Sequence, residues 1–386
     1  MKITAVGTLC LSRQHEPERQ WFTASYLTTK ADCTIVSIYT DEGITGIGEA
    51  CSYGSPPSIK DWVEWLSTQL IGKDPLDKGI VPHTNGRSWA YDTAVAGIDC
   101  ALWDLKGKIA EKKVCELLTD KPLDKVRLYA SGGCRYNWRK KPEQLIEEAL
   151  DYIKAGYTAM KFRIGTDWSW DGITVDRFIG LVRELVQVVN GRMELMLDAN
   201  CRLTEDQALQ IAKELARLNF VWFEEPIPAN QINGYARLCA SVDMPISGGE
   251  TLTTTEQFRP YLDNKAYGIV QQDAGICGIT EGINIAKMAY EQYGVKTCPH
   301  NWHNGLMTMA NAHFVASLPS PKVLELCMIQ GPLQWDIITD KPIIENGWLI
   351  LPDKPGLGVE LRDDLIERFP YIDGNYGKQI RPEDLN

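Results

Sequence analysis

Three acidic residues in the middle of the chain, Asp198, Glu224 and Glu250, each follow a short apolar run, with 26 residues from one acid to the next. If the runs are parallel strands, one strand-helix unit separates neighbouring acids, so all three gather at one edge of the sheet. Carboxylate oxygens are hard ligands that suit Mg²⁺, which keeps open positions for water or substrate oxygens. The spacing therefore favours an Mg²⁺ site over the alternative of ordinary loop or helix-capping acids.

Two cations end an earlier apolar run. Lys161 and Arg163 are two residues apart, so on a strand both side chains point to the same side. Buried cations need compensating anions, and the acidic cluster would supply them. We interpret the pair as part of a catalytic site, the alternative being that it only neutralises the acids.

Asp273, His300 and Glu325 mark the ends of the next three runs. An aspartate beside a histidine fixes the tautomer and raises the basicity of the ring, which suits general acid or base catalysis. His303 lies three residues after His300 and resembles a metal-binding partner only weakly, because no helical H-E-x-x-H context is present. We therefore expect His303 to contact substrate or to lie in a loop.

A repeated strand-helix pattern must hold these residues. After Pro122, short apolar runs alternate with amphipathic stretches, and Thr204-x-x-Gln207 forms a capping box before a helix predicted over 205–218. The pattern predicts an α/β fold, a (β/α)₈-type barrel with the polar residues at its mouth, and a doubly wound open sheet is the alternative. The predicted strands are 126–130, 159–164, 194–197, 221–223, 245–247, 268–270, 296–298 and 323–326.

The first 120 residues show a different pattern, in which predicted strands come first and predicted helices follow. This order predicts an α+β unit. Residues 34–40 and 44–50 form a predicted hairpin. The glycines of Gly43-x-x-Gly46-x-Gly48 lie in this hairpin and lack the context of a dinucleotide-binding loop. Residues 12–22 and 52–57 are predicted loops.

Composition excludes several classes of protein. The 386 residues carry a formal net charge of −11, which argues against nucleic-acid binding. No run of 18 apolar residues is present, so no membrane span or membrane partner is expected. The eleven cysteines are scattered without a C-x-x-C pair, which indicates reduced thiols and a cytoplasmic location.

With these residues the chain resembles the mandelate racemase subgroup of the enolase superfamily over essentially its full length. The resemblance implies a modified (β/α)₇β barrel with an α+β capping domain. It assigns residues 1–122 to the cap, 123–350 to the barrel and 351–386 to a segment that returns to the cap. The matching segments are 96–104 (AGIDCALWD), 161–163 (KFR), 197–200 (LDAN), 222–226 (WFEEP), 248–250 (GGE), Asp273, 299–300 (PH), 324–325 (LE) and 352–359 (PDKPGLGV).

The resemblance also implies residue roles. Asp198, Glu224 and Glu250 would bind one Mg²⁺ per subunit, with Glu225 as a supporting neighbour. Glu325 would hydrogen-bond the substrate carboxylate. Lys161 and Arg163 would lie on one face of the substrate, and His300, oriented by Asp273, on the other. Further expected substrate contacts are Asn200, Trp302 and His303 in the barrel, and Arg13, His15, Arg19 and Trp21 in the cap loop.

The expected chemistry is removal of the proton alpha to a carboxylate, through an enediolate. Many relatives have a second lysine where this chain has Arg163, and a guanidinium with a pKa above about 12 does not readily accept a proton. This disfavours a symmetric two-base racemisation and favours dehydration of a sugar acid to a 2-keto-3-deoxy acid. The alternatives are an epimerase, racemase or cycloisomerase of such an acid and, remotely, a non-catalytic ligand-binding barrel. A homo-oligomer is expected from the resemblance alone.

Overall fold

A computed structural model describes residues 1–23, 25–51, 53, 55–84, 86, 88–320, 323–329 and 331–385. Ser52 and Gly54, two positions of the loop predicted over 52–57, lie outside the described residues. Within the described ranges, no helix combines the length and apolar character needed to cross a bilayer.

The N-terminal part is an antiparallel sheet covered by helices. Strands β1, β4 and β5 pair in the order β1-β4-β5, and β4 and β5 are the predicted hairpin. The loop predicted over 12–22 is shorter than expected, because β1 continues to Gln14, which pairs with Lys30. The elements are β1 (Ile3–Gln14), β2 (Trp21–Thr23), β3 (Tyr26–Thr28), β4 (Lys30–Thr40), β5 (Thr45–Ala50), α1 (Pro56–Ser67), α2 (Trp89–Ala110) and α3 (Val114–Leu118).

Two glycines of β5 let helix α2 approach the sheet closely. A Cβ atom on Gly46 would lie 2.2 Å from the carbonyl oxygen of Ala101, and one on Gly48 would lie 2.4 Å from that of Gly97. Real Cβ atoms do not approach backbone so closely, so only glycine fits at both positions. Packing against α2 therefore explains the glycine pattern of the hairpin.

The central part is a barrel of parallel strands. Strands β6 to β12 lie side by side in chain order, and β13 pairs with β6, which returns the last strand to the first. This pairing excludes the open doubly wound sheet and confirms the predicted (β/α)₇β fold. The elements are β6 (Lys125–Gly132), α4 (Gln144–Lys154), β7 (Ala159–Arg163), α5 (Val175–Val189), β8 (Glu194–Asp198), α6 (Glu205–Arg217), β9 (Phe223–Glu224), α7 (Ile232–Ser241), β10 (Ile246–Gly248), α8 (Thr255–Asp263), β11 (Ile269–Val270), α9 (Ala274–Tyr293), β12 (Lys296–Thr297), α10 (Gly305–Ser317) and β13 (Leu324–Cys327).

The C-terminal part packs on both regions. Strand β15 pairs with the barrel strand β6, whereas β16 pairs with β3 of the cap. The boundaries predicted at 122 and 350 remain predictions. The elements are α11 (Pro332–Trp335), β14 (Ile343–Glu345), β15 (Trp348–Ile350), α12 (Leu365–Arg368) and β16 (Gly377–Gln379).

A buried carboxylate ties the cap to the C-terminal part. Asp104 of α2 accepts hydrogen bonds from the backbone N–H of Ile47 in the cap sheet at 2.9 Å and of Leu357 in the C-terminal part at 2.7 Å. Lys108, one turn along α2, lies 3.0 Å from the same carboxylate. The apolar core is also shared, because Leu11 and Ile35 of the cap belong to the same buried cluster as the barrel helices.

Candidate active site

The parallel strands deliver the predicted polar side chains to one end of the barrel. Most of these residues lie at or just beyond the C-terminal end of their strands, which is where barrel enzymes hold their chemistry, and Lys161 and Glu325 lie two residues before the ends of theirs. The full set is Lys161 and Arg163 on β7, Asp198 on β8, Glu224 on β9, Glu250 after β10, Asp273 after β11, His300 after β12 and Glu325 on β13.

Strained backbone marks the ends of the three acid-bearing strands. Asn200, two residues after Asp198, has a φ of 49°, and Glu225, directly after Glu224, has a φ of 38°. Gly249, directly before Glu250, has a φ of 95°. Residues with side chains rarely adopt this left-handed region, and such strain concentrates at functional sites.

Lys161 joins two of the acids. Its ammonium group donates a hydrogen bond to Glu224 Oε1 and lies 3.1 Å from Glu325 Oε1, and all three side chains are buried. Burial would lower the pKa of Lys161, but the negative charges of Glu224 and Glu325 outweigh burial and hold this pKa well above its usual range. Lys161 is therefore protonated in this arrangement.

Glu325 is ionised. Burial would raise its pKa, but the charges of Lys161 and His300 lower the pKa to about 2. Its Oε2 accepts a hydrogen bond from the backbone N–H of Asn301 at 2.8 Å. In this state Glu325 accepts hydrogen bonds, so the predicted bond to a substrate carboxylate requires a proton to reach Glu325 first.

Arg163 pairs with an acid and lies against two indole rings that also contact each other. Its Nε is 3.2 Å from Asp198 Oδ2. Its guanidinium carbon lies 5.5 Å from the ring centre of Trp21 and 5.0 Å from that of Trp302. Because Trp21 belongs to the cap and Trp302 to the barrel, this cation–π contact joins the two parts beside the acids.

Asp273 holds two histidines. Its Oδ2 lies 2.6 Å from Nδ1 of His300 and 2.6 Å from Nε2 of His303. Burial would lower the pKa of His300, but the charges of Glu250 and Asp273 raise it to about 10, so His300 is protonated here. The Nε2 atom of His300 lies 3.7 Å from Glu250 Oε2.

Asp273, His300 and His303 also bring three possible metal-ligand atoms within 4.8 Å of one another, and no other such group occurs in the described part of the chain. The N···O distances of 2.6 Å are those of charge-assisted hydrogen bonds, in which a proton lies between each ring nitrogen and the carboxylate. We therefore interpret the group as a hydrogen-bonded cluster.

Comparison with known families identifies the architecture. A family model described as Enolase C-terminal domain-like matches residues 144–365, and one described as Mandelate racemase / muconate lactonizing enzyme, N-terminal domain matches residues 8–119. The chain belongs to the enolase superfamily. The N-terminal match assigns it to the mandelate racemase subgroup, which confirms the resemblance found in the sequence.

Similar superfamily members include enzymes of two reaction types. Arabinonate dehydratase of Saccharolobus solfataricus is 31% identical over 86% of this chain and 89% of that enzyme. D-galactarolactone cycloisomerase of Agrobacterium fabrum is 30% identical over 97% of this chain and 100% of that enzyme. The crystal structure of 3,6-anhydro-D-galactonate cycloisomerase from Zobellia galactanivorans has a TM-score of 0.81 and 28% identity, covering 97% of this chain and 100% of that one.

Enolase-superfamily members bind Mg²⁺, and the electrostatics of this site fit a cation. Burial raises the pKa of Glu224 to about 7; Lys161 opposes this shift, whereas Asp198, Glu325 and Glu250 add to it. Burial, followed by the charge of Glu250, raises the pKa of Glu225 to about 8. These carboxylates repel one another despite the neighbouring cations. A bound cation would therefore stabilise the ionised form of these carboxylates.

The structure separates the predicted substrate contacts into three groups. His15, Trp21, Trp302 and His303 line a cavity, open in part to solvent, between the cap and the barrel mouth. Asn200 lies beside Asp198, to which its backbone N–H donates at 2.7 Å. Arg13 and Arg19 do not line the cavity: Arg13 pairs with Glu16 at 2.7 Å, and Arg19 is exposed.

Several supporting residues were not predicted from the sequence. Gln271 Nε2 and Trp222 Nε1 donate to Glu224 Oε2 at 2.6 and 3.0 Å. Asn311 Nδ2 donates to Asp273 Oδ1 at 3.1 Å. Gln271 precedes Asp273 by two residues, so its position on the same face of the strand was a usable signal, whereas Asn311 lies on helix α10 and gave none.

Proposed function

We propose that this chain catalyses the Mg²⁺-dependent dehydration of a sugar acid to a 2-keto-3-deoxy acid. The observation that carries the proposal is the placement of two proton-carrying groups against the acidic set. Lys161 contacts Glu224, and His300 lies next to Glu250, so the two groups approach acids at the ends of neighbouring strands. The similarity to sugar-acid dehydratases supports the same reaction.

Asp198, Glu224 and Glu250 would hold the Mg²⁺ ion. When bound, the ion supplies positive charge that stabilises the enediolate formed on the substrate. Burial keeps the reacting carbon away from bulk water, because Lys161, Glu224 and Glu325 are each at most 2% exposed. Arg163, packed against the indole rings of Trp21 and Trp302, would hold the substrate without taking a proton.

Two assignments of the base remain open. A neutral Lys161 would take the proton at C2 while protonated His300 donates to the departing 3-hydroxyl group, which gives anti elimination. Alternatively, neutral His300 would take the C2 proton and return it to the 3-hydroxyl group, which gives syn elimination. In both assignments, Asp273 Oδ2 accepts a hydrogen bond from Nδ1 of His300, so that Nε2 is the nitrogen that exchanges protons.

The test is ¹H NMR of the Mg²⁺-loaded protein in D₂O with aldonic, uronic and aldaric acids. We expect a 3-deoxy-2-keto product from at least one acid, and deuterium at C2 of the substrate if proton removal is reversible. Lys161→Met and His300→Asn then separate the two assignments, since the variant lacking the base loses C2 exchange. The absence of both product and exchange with every acid would overturn the proposal.

Cycloisomerisation is the second candidate. A D-galactarolactone cycloisomerase aligns with 97% of this chain at 30% identity, so its support from sequence equals that of the dehydratases. Both reactions begin with the enediolate and differ in the group that leaves. Ring opening or closure of a lactone or anhydro acid without loss of water, seen in the same NMR experiment, would identify this reaction.

The cellular setting is also a proposal. All eleven cysteines are free thiols, and eight of them are buried, which fits a reducing compartment such as the cytoplasm. Homo-oligomer formation remains a prediction that a sedimentation measurement would test.

A further inference from the structure

The cavity between the cap and the barrel mouth contains buried polar atoms that lack partners. Asp32 Oδ2, Thr28 Oγ1 and His15 Nδ1 make no hydrogen bond to any described residue, and all three residues line the cavity. The side chain of Asp32 is 2% exposed, and the residues Thr28 and His15 are 2% and 6% exposed. A buried polar atom without a hydrogen-bond partner is destabilising, so these atoms indicate a polar occupant.

The single lysine of the cavity is already engaged. Lys30 Nζ lies 3.2 Å from Asp32 Oδ1, donates to the carbonyl oxygen of Ile372, and lies 5.0 Å from the ring centre of Tyr371. Asp32 Oδ1 also accepts a hydrogen bond from Ser12 Oγ at 2.6 Å. Oδ2 is therefore the oxygen of Asp32 that remains for an occupant.

His15, Glu49 and His303 also line the cavity. Burial lowers the pKa of His15, which favours its neutral form. Both carboxylate oxygens of Glu49 accept hydrogen bonds, from Asn304 Nδ2 and from the backbone N–H of Met307 at 2.9 Å each. His303 is held by Asp273. A second carboxylate in this cavity would face Asp32 and Glu49, and Lys30 is the only lysine or arginine among the described lining residues. Arg163, which contacts the lining residues Trp21 and Trp302, is already paired with Asp198.

We propose that this cavity is a subsite for the uncharged polyhydroxy end of the substrate. This inference rests on the proposed function and narrows it: the substrate is an aldonic acid, with one carboxylate, and not an aldaric acid, with a carboxylate at each end. The subsite is next to the catalytic group, because Trp302 and His303 line the cavity while Trp302 contacts Arg163 and His303 contacts Asp273.

The three unpaired atoms match the chemistry of a hydroxyl chain. Asp32 Oδ2 accepts a hydrogen bond, while Thr28 Oγ1 donates or accepts, and His15 Nδ1 does one or the other according to its tautomer. A hydroxyl group both donates and accepts, so a chain of hydroxyls satisfies all three. The aromatic rings of Trp21, Trp302 and Tyr53 offer apolar walls for the C–H groups of the chain.

The first experiment compares acids that differ only at the far end. Galactonate and galactarate share their configuration, and so do gluconate and glucarate, and xylonate and xylarate. We expect kcat/KM for the preferred aldonate to exceed that for its aldarate partner at least about 100-fold, because a buried charge without a partner is strongly disfavoured. Equal or better turnover of the aldarate would overturn the subsite but leave the proposed function intact.

The second experiment removes one unpaired atom. Thr28→Val deletes the hydroxyl at nearly constant shape, so we expect KM for the preferred aldonate to rise about 3- to 10-fold with kcat changed less than 3-fold. Thr8→Val is the matched control, because Thr8 Oγ1 is also buried and unpaired but lies outside the cavity. A KM for Thr28→Val within 2-fold of the wild-type value would overturn the proposal.

The third experiment changes the charge. Asp32→Asn leaves Lys30 without its anion, so we expect the preference for aldonate over aldarate to fall at least about 10-fold. An unchanged preference would contradict the charge argument. If Asp32→Asn does not fold, the comparison of Thr28→Val with Thr8→Val tests the subsite instead. If no acid of any pair shows product or C2 exchange, the proposed function itself fails, and the subsite with it.

Discussion

Asp273 Oδ2 lies as close to Nε2 of His303 as it does to Nδ1 of His300, at 2.6 Å. One carboxylate oxygen thus fixes two imidazole rings, whose planes are nearly perpendicular at 88°. His303 also stacks on Tyr53, with ring centres 5.8 Å apart. His303 is therefore placed to hold Asp273, and through Asp273 the orientation of His300.

His303→Phe tests this positioning role. The phenyl ring keeps the stacking on Tyr53 but removes the donor to Asp273, so His300 loses part of its orientation, and we expect kcat to fall about 10- to 100-fold. In ¹H NMR of histidine-labelled protein, one of the two strongly downfield imidazole N–H signals should disappear. Tyr53→Phe is the control and should retain both signals. A normal kcat in His303→Phe would show that the contact is structural only.

His300→Asn should nearly abolish the reaction. The Asn amide still donates to Asp273 but cannot exchange a proton at the position of Nε2, so we expect product formation to fall about 10²- to 10⁴-fold. Calorimetric titration with MgCl₂ should show little change in affinity, because the carboxylate ligands are intact. Full activity of His300→Asn, measured by NMR, would contradict the role of this histidine.

Glu250→Gln should weaken binding of Mg²⁺. An amide oxygen carries no net charge, so the site loses one of its anionic ligands, and we expect affinity to fall at least about 10-fold. Isothermal titration with MgCl₂ measures this without turnover. Glu291→Gln, on the exposed surface of α9, is the matched control. Equal affinities in the two variants would remove Glu250 from the metal site.

Asp104→Asn should destabilise the whole protein. Asp104 accepts hydrogen bonds from the backbone N–H groups of Ile47 and Leu357 and forms an ion pair with Lys108. In the variant, the NH₂ group of Asn replaces one accepting oxygen, so a donor faces a backbone N–H. We expect a loss of about 2–4 kcal/mol in the free energy of unfolding, measured with urea. The exposed Asp120→Asn serves as the control and should change stability by less than about 0.5 kcal/mol.

His313 should make stability depend on pH. Burial lowers its pKa to about 4, and its Nδ1 accepts a hydrogen bond from the backbone N–H of Cys115 at 3.4 Å, which protonation would break. The unfolded chain, with a histidine pKa of about 6.5, binds the proton more tightly. The free energy of unfolding therefore falls as the pH drops below about 6.5, by about 2 kcal/mol between pH 7 and pH 5 from this residue alone.

His313→Asn isolates that contribution. Asn keeps an acceptor for the Cys115 N–H but does not titrate, so the variant should lose about 2 kcal/mol less than the wild type between pH 7 and pH 5. Urea unfolding at the two pH values measures the difference. Parallel losses in both proteins would show that other groups account for the acid sensitivity.

The sequence predicted the fold and the residues at the barrel mouth because both follow from local patterns. Glu224 and Asp273 each follow a short apolar run, so the strand and the position of the side chain at its end could be inferred together. The capping box at Thr204 is likewise local, and α6 begins directly after it, at Glu205. Such patterns depend on a few neighbouring residues, whose spacing the sequence displays directly.

Contacts between distant segments could not be predicted in this way. The spacing of His303 from His300 does not show that both rings turn back to Asp273. The role of Lys30 depends on Ile372 and Tyr371, which approach it only when the C-terminal part packs on the cap. Arg13 was expected to contact substrate from the cap loop, yet it pairs with Glu16.

The pairing of β16 with β3 has a consequence for synthesis of the protein. The backbone N–H groups of Thr29 and Lys30 donate to the carbonyl oxygen of Tyr376 at 2.9 and 3.0 Å, and 347 residues separate Thr29 from Tyr376. The barrel strands emerge from the ribosome well before residue 376 does. A nascent chain can therefore assemble the carboxylates at the barrel mouth while the wall that Tyr376 gives to the cavity is still missing.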